Sequence, residues 1–243
     1  MIEQVEISVG CRTIVGDYFI GGAGRERIAI LLHGFLASKE DMHGLSQALL
    51  AAGIDSLAID LNGHGASSGS IAEFTVSRAI EDVIAAVEFA RSKGYSKIGI
   101  FGFSLGGYIA LAALGKDPSI AGTAVLGAPV SNFADTFGKA DLNEWKSSNM
   151  FNSRHLGVSI GLNYSFYTDG LQYESKLSGI SIPVLIIHGT DDDVVPIAQS
   201  EALVKRLKSA HLLRLDGATH SIFSNGYGPT AIDTVVGWFR TKL

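Results

Sequence analysis

At 243 residues, with 47% hydrophobic and 18% charged residues, the chain is expected to fold around one large core, at a length where α/β folds form a single unit. That balance excludes disorder, and a formal charge of −5 without runs of like charge excludes the footprint of a nucleic-acid or anionic-membrane binder. The single cysteine, Cys11, excludes an internal disulfide and has no metal-ligand spacing, so it reads as a small apolar filler in an early strand.

The N-terminal "MIEQVEISVG" alternates like a strand and lacks the basic start and apolar core of a signal peptide. No apolar run reaches the length of a membrane span, and the expectation is a soluble, cytoplasmic protein. Segments 2–9 and 13–20, joined at Gly10 and closed by "GGAG" at 21–24, predict an opening hairpin. Then come the apolar runs "IAILL", "SLAI", "IGIF", "TAVLG" and "VLII", which fit strands buried on both faces of a parallel sheet. Helical-period stretches separate them: "KEDMHGLSQALLAAG" closing on Gly53, "TVSRAIEDVIAAVEFARSKG" opening on Thr75 and closing on Gly94, and "LGGYIALAALG" closing on Gly115. Each terminal glycine is suited to a left-handed C-cap. The alternation predicts an α/β fold, a doubly wound and mostly parallel sheet, as one domain over 1–243.

One interval breaks the rhythm. Residues 131–178 hold no clear strand but carry Phe133, Phe137, Trp145, Phe151, Tyr164, Phe166, Tyr167 and Tyr173. A structureless loop of that length is uncommon, so a small helical insertion, a cap or lid over the sheet edge, is expected. Its aromatic rings either pack the insertion down or receive an apolar acyl or aryl group, and both readings stand.

The pattern G-x-S-x-G occurs three times, around Ser67, Ser104 and Ser159. Only Ser104, in "GFSLGG", falls between an apolar strand and an apolar helix. A turn that abrupt strains the backbone, exposes the hydroxyl beyond the carboxyl end of the sheet and gives the small residues 102, 106 and 107 a steric purpose. Ser104 is therefore the expected nucleophile, with Ser67 and Ser159 structural or surface residues.

A serine hydroxyl needs a histidine to take its proton and a carboxylate to orient that histidine. His220, in the loop after the last strand "HLLRLDGA", reaches the same sheet edge. His43, His155 and His211 are placed elsewhere, and His188, at the end of the strand before the aspartates, reads as a supporting or packing residue. His33 and His64 precede glycines in loops at the active edge and are expected to line the site. The acid comes from "HGTDDDVVP", where one of Asp191, Asp192 and Asp193 faces inward. Three successive carboxylates lack the regular spacing of a Ca²⁺ or Mg²⁺ loop, and no metal or cofactor is expected.

The order Ser…Asp…His, with "LLHGF", "DLNGHGASSG", "GFSLGG", "HGTDDDVVP" and "GATH" after successive strands, resembles the α/β-hydrolase superfamily over nearly the whole chain. The resemblance implies Asp192 as the acid, by the pattern H-G-x-x-D-x-x-V-P, and the backbone N–H groups of Phe35 and Leu105 as the oxyanion hole. It further implies a serine carboxylesterase of the feruloyl and cinnamoyl esterase branch, or a related monoacylglycerol-type lipase, acting on a small-molecule ester of short-to-medium-chain or aryl type. That branch commonly has histidine and glutamine beside the serine; this chain has Phe103 and Leu105. A C–C bond hydrolase would use the same triad, and a ligand-binding relative without turnover is the alternative of another class.

Overall fold

The chain begins as an antiparallel hairpin of β1 (Ile2–Val9) and β2 (Arg12–Phe19), in register from Ile2–Phe19 to Val9–Arg12. The computed structural model describes residues 1–21, 26–224 and 226–243. Cys11 is exposed in the turn between the two strands. The pairing ends at Val9 and restarts at Arg12, so the expected apolar filler is instead a surface thiol. Of the expected closing "GGAG", residues 22–24 lie outside the described residues.

Next in the chain come β3 (Arg27–Leu32), β4 (Asp55–Ile59), β5 (Lys97–Phe103) and β6 (Thr123–Gly127), then the short β7 (Met150–Ser153) and β8 (Val158–Gly161), and finally β9 (Val184–Gly189) and β10 (Ala210–Leu215). Eight strands form one sheet in the order β1-β2-β4-β3-β5-β6-β9-β10. From β4 to β10 every pairing is parallel, and β2 joins β4 antiparallel. The inner parallel strands are buried on both faces because helices cover each one, whereas the edge strand β10 is only partly buried.

The helices are α1 (His43–Ala51), α2 (Val76–Ser92), α3 (Leu105–Lys116), α4 (Phe133–Phe137), α5 (Leu142–Ser148), α6 (Ser165–Leu171), α7 (Ala198–Arg206) and α8 (Gly228–Lys242). Leu45 and Leu49 of α1 pack with Val235 and Phe239 of α8 in one layer. Ile80 and Val83 of α2 pack with Ile109 of α3 in the other. The doubly wound sheet read from the alternating pattern is present.

Thr75 caps α2 as expected, its hydroxyl accepting the Arg78 N–H at 3.3 Å. Gly53 and Gly94 end their helices at φ +77° and +93°. Gly115 does not cap: α3 runs on to Lys116. A Cβ at Gly115 would lie 2.8 Å from the Lys176 carbonyl, so the glycine serves close approach to the segment after α6 rather than a left-handed turn.

Within 131–178 the expected helices α4, α5 and α6 are joined by an antiparallel pair, β7 with β8. Each of those strands is four residues long, too short for alternation to be read. Phe133, Trp145, Phe151 and Phe166 are fully buried, with Trp145 and Phe151 rings 4.4 Å apart and Phe133 and Phe137 rings 4.6 Å apart. Trp145 Nε1–H donates to the Leu162 carbonyl at 2.6 Å. The aromatics thus chiefly hold the segment together. Asp169 of α6 fastens it to the core, its carboxylate accepting the Ser77 N–H at the start of α2 at 2.7 Å. Among the described residues no helix is long and apolar enough to cross a membrane.

Candidate active site

The carboxyl ends of β3, β5, β9 and β10 converge on Ser104. It joins β5 to α3 at φ 52°, ψ −116°, a left-handed backbone that costs a non-glycine residue about 1–3 kcal/mol and persists only where its surroundings impose it. The surroundings do: a Cβ on Gly106 would lie 2.5 Å from the His33 carbonyl oxygen and 2.6 Å from that of Leu32. The absent side chains let α3 close onto β3. The Ser104 N–H donates to Gly127 at 2.9 Å and its carbonyl accepts from Val130 at 3.1 Å, which pins the turn against β6.

His220 Nε2 lies 3.0 Å from Ser104 Oγ, and Nδ1 lies 2.7 Å from Asp192 Oδ2. A carboxylate opposite Nδ1 makes that nitrogen the donor and leaves the Nε2 lone pair for the serine O–H. Asp192 is buried and accepts from both sides. Oδ1 takes the N–H groups of Val194 at 2.9 Å and Val195 at 2.8 Å; Oδ2 also takes His188 Nε2–H at 3.0 Å. Burial alone would raise its pKa, but the hydrogen bonds from His188 and His220, the His220 charge and the Val195 amide outweigh it and hold the carboxyl well below the usual range. Asp191 and Asp193 are exposed.

His188, read as a supporting residue, is fully buried and bridges Ser200 Oγ at 2.6 Å to Asp192. Two expectations change. His33 and His64 do not line the cavity at Ser104. His33 Nδ1–H donates to the Gly34 carbonyl at 2.8 Å, and its Nε2 accepts the Leu61 N–H at 3.1 Å, so it splices the loop after β3 to the loop after β4. Burial, with the neighbouring His64, pushes its pKa down from 6.5 to about 4. The His64 ring lies 5.0 Å from that of His33, tilted against it, and 4.8 Å edge-on to Phe74, and burial lowers its pKa as well. Ser67 donates to the Asp60 carbonyl at 2.6 Å and Ser159 donates to Asn152 Oδ1 at 2.6 Å, and neither lines the cavity at Ser104.

The sequence reading missed Asp60 and Lys39. The buried Asp60 carboxylate accepts the Lys39 N–H at 2.8 Å, the Lys39 ammonium at 3.2 Å and the Ala66 N–H at 2.9 Å. It therefore holds the loop after β3, where Phe35 lies, against the loop after β4. An aspartate directly at a strand end, followed by glycines, was the available signal. Among the described residues neither the Phe35 nor the Leu105 N–H donates to a backbone carbonyl, and Leu36 turns the loop beyond Phe35 at φ 59°. The cavity above Ser104 measures about 550 Å³ and is walled by Met42, Phe103, Phe137, Val158 and Phe223 among others.

An eight-stranded, mostly parallel sheet with helices on both faces, shared with solved structures of the α/β-hydrolase fold and joined by a family match, makes the chain an α/β-hydrolase. Within that class the chain belongs to the prolyl oligopeptidase family, whose profile matches residues 48–243. It is 25% identical to a monoacylglycerol lipase of Mycolicibacterium smegmatis over 99% of this chain and 98% of that one. It is likewise 25% identical to an acyl transferase of Shewanella hanedai over 84% of this chain and 70% of that one. Among solved structures, Est1E from Butyrivibrio proteoclasticus with ferulic acid bound superposes with a TM-score of 0.86 at 20% identity, covering 98% of each chain.

Proposed function

We propose that the chain is a serine hydrolase of carboxylic esters with a short-to-medium-chain or aryl acyl group, working through Ser104, His220 and Asp192. The observation that carries this reading is His220 bridging Ser104 at 3.0 Å and Asp192 at 2.7 Å at the end of a strained strand-to-helix turn. His220 takes the Ser104 proton as the oxygen attacks the acyl carbon, and Asp192 stabilises the imidazolium. The developing oxyanion rests on the N–H groups of Phe35 and Leu105, each donor worth about 2.7–4 kcal/mol in comparable hydrolases. His220 then protonates the leaving alcohol, and water activated by the same nitrogen frees the acid. In this reading segment 131–178 covers the acyl side of a single α/β domain.

The family match supports a second reading, cleavage of a peptide bond by the same groups, and the mycobacterial relative supports a monoacylglycerol as the ester. The test is a panel of p-nitrophenyl esters from acetate to palmitate with one monoacylglycerol and one prolyl p-nitroanilide, for wild type and Ser104→Ala. Ester turnover falling at least about 10⁴-fold in the variant is expected. Turnover of the anilide alone moves the assignment to a peptidase, and no turnover above the variant on any member sinks it.

A further inference from the structure

The cavity at Ser104 is walled by residues of both layers of the fold. One half is walled by Val130, Phe137, Leu156 and Val158, which pack in the layer of α2, α3 and segment 131–178. The other is walled by Met42, Phe103 and Phe223, which pack in the layer of α1 and α8. The rings sort the same way. Phe35 lies 5.6 Å from Phe137; Phe103 lies 6.2 Å from Phe223 and 5.1 Å from the His220 ring.

Whichever half adjoins His220 receives the alkoxy part of an ester, because His220 Nε2 must hand its proton to that oxygen. His220 leans on Phe103, so the alkoxy half is the one walled by Met42, Phe103 and Phe223. Its polar groups are Asp41, Ser221 and Ser224, and Asp41 and Ser221 are exposed. The three apolar side chains strip water from an alkyl or aryl group, and the lining as a whole is mainly apolar, which favours such a group over glycerol or a sugar.

We infer that this half is an apolar alcohol subsite: it takes an alkyl or aryl leaving group, and it lets an apolar alcohol replace water as the acceptor of the acyl group. The inference rests on the serine-hydrolase reading, since it needs the acyl group on Ser104. In the transfer step the acceptor O–H gives its proton to His220 Nε2 while its oxygen bonds the acyl carbon. Collapse breaks the bond from that carbon to Ser104 Oγ, which takes the proton back from His220. A new ester leaves, and no water is consumed.

The test is turnover of p-nitrophenyl butyrate with increasing ethanol, 1-butanol, 1-hexanol or glycerol, reading the butyrate ester of each alcohol against free butyrate by chromatography. The ester-to-acid ratio is expected to saturate with the monohydric alcohols, the half-saturating concentration falling about threefold per added methylene. Glycerol is expected to give no more ester than ethanol. Phe223→Ala is expected to flatten the chain-length dependence, and Phe223→Leu to keep most of it. Because the ratio is internal to each sample, a partly unfolded variant still reports. A ratio rising linearly with one slope for all four acceptors overturns the subsite, as does a Phe223→Ala enzyme with the wild-type dependence. Butyrate release without any ester overturns the inference alone; no butyrate above Ser104→Ala removes the acyl-enzyme and both proposals with it.

Discussion

The turn at Ser104 and segment 131–178 are held by different forces. At the turn the backbone does the holding: a left-handed Ser104, a glycine facing the Leu32 and His33 carbonyls, and amides bonded to β6. In the segment the side chains do it, with Phe133, Trp145, Phe151 and Phe166 buried against one another. Where backbone fixes geometry, side chains such as Phe103 are released to wall the cavity. Where rings fix it, most are spent on one another, and Phe137 both packs on its neighbours and reaches the cavity.

The comparison breaks most sharply at Asp192. Asp192→Asn keeps the shape of the acid loop but presents His220 Nδ1 with a weaker, neutral partner, and kcat is expected to fall about 10⁴-fold with the fold intact by circular dichroism. The exposed Asp191→Asn and Asp193→Asn should stay within about twofold of wild type. An equal loss at either neighbour would move the acid there. Trp145→Ala tests the other region. It empties a fully buried site and orphans the Leu162 carbonyl, so a stability loss of about 4 kcal/mol is expected in urea unfolding. A loss under about 1 kcal/mol would mean that the rings do not carry the segment.

What was legible in the sequence follows the same division. Strand runs, Thr75 as a cap and the Ser104 turn are local statements, in which a few adjacent residues determine their own backbone. His220 and Asp192 were reachable because each lies just past the end of a strand. The hairpin of β7 and β8 was not legible: its strands are four residues each, and its Phe151 is held by the rings of Phe35 and Phe137 from outside the hairpin. Nor was the buried role of His33 and His64, since "HG" after a strand looks the same whether the ring faces the cavity or the neighbouring loop. The pairing of Asp60 with Lys39 joins residues 21 apart in sequence, and only the packed sheet edge brings them together.

The smallest effect tests the backbone side through its titration. Folded His33 stays neutral down to about pH 4, against an ordinary value of 6.5, because burial and the neighbouring His64 disfavour the charged ring; protonating Nε2 would also break its bond to the Leu61 N–H. Between those two values the unfolded chain binds more protons than the folded one, so stability rises with pH there. The His33 contribution is complete above about 6.5, is lost as pH falls and levels off below about 4, amounting to roughly 3 kcal/mol in all. Asp192 acts in the same direction but lower: its depressed carboxyl contributes stability above the ordinary carboxylate value of 3.8 and loses it as pH falls further. Urea midpoints measured from pH 7 to pH 4 should therefore decline through this window, and His33→Gln, which cannot titrate, should flatten the decline. A wild-type midpoint constant over that range would show that the loops after β3 and β4 do not depend on a neutral His33, and that the rigidity of this edge resides in the Asp60–Lys39 pair instead.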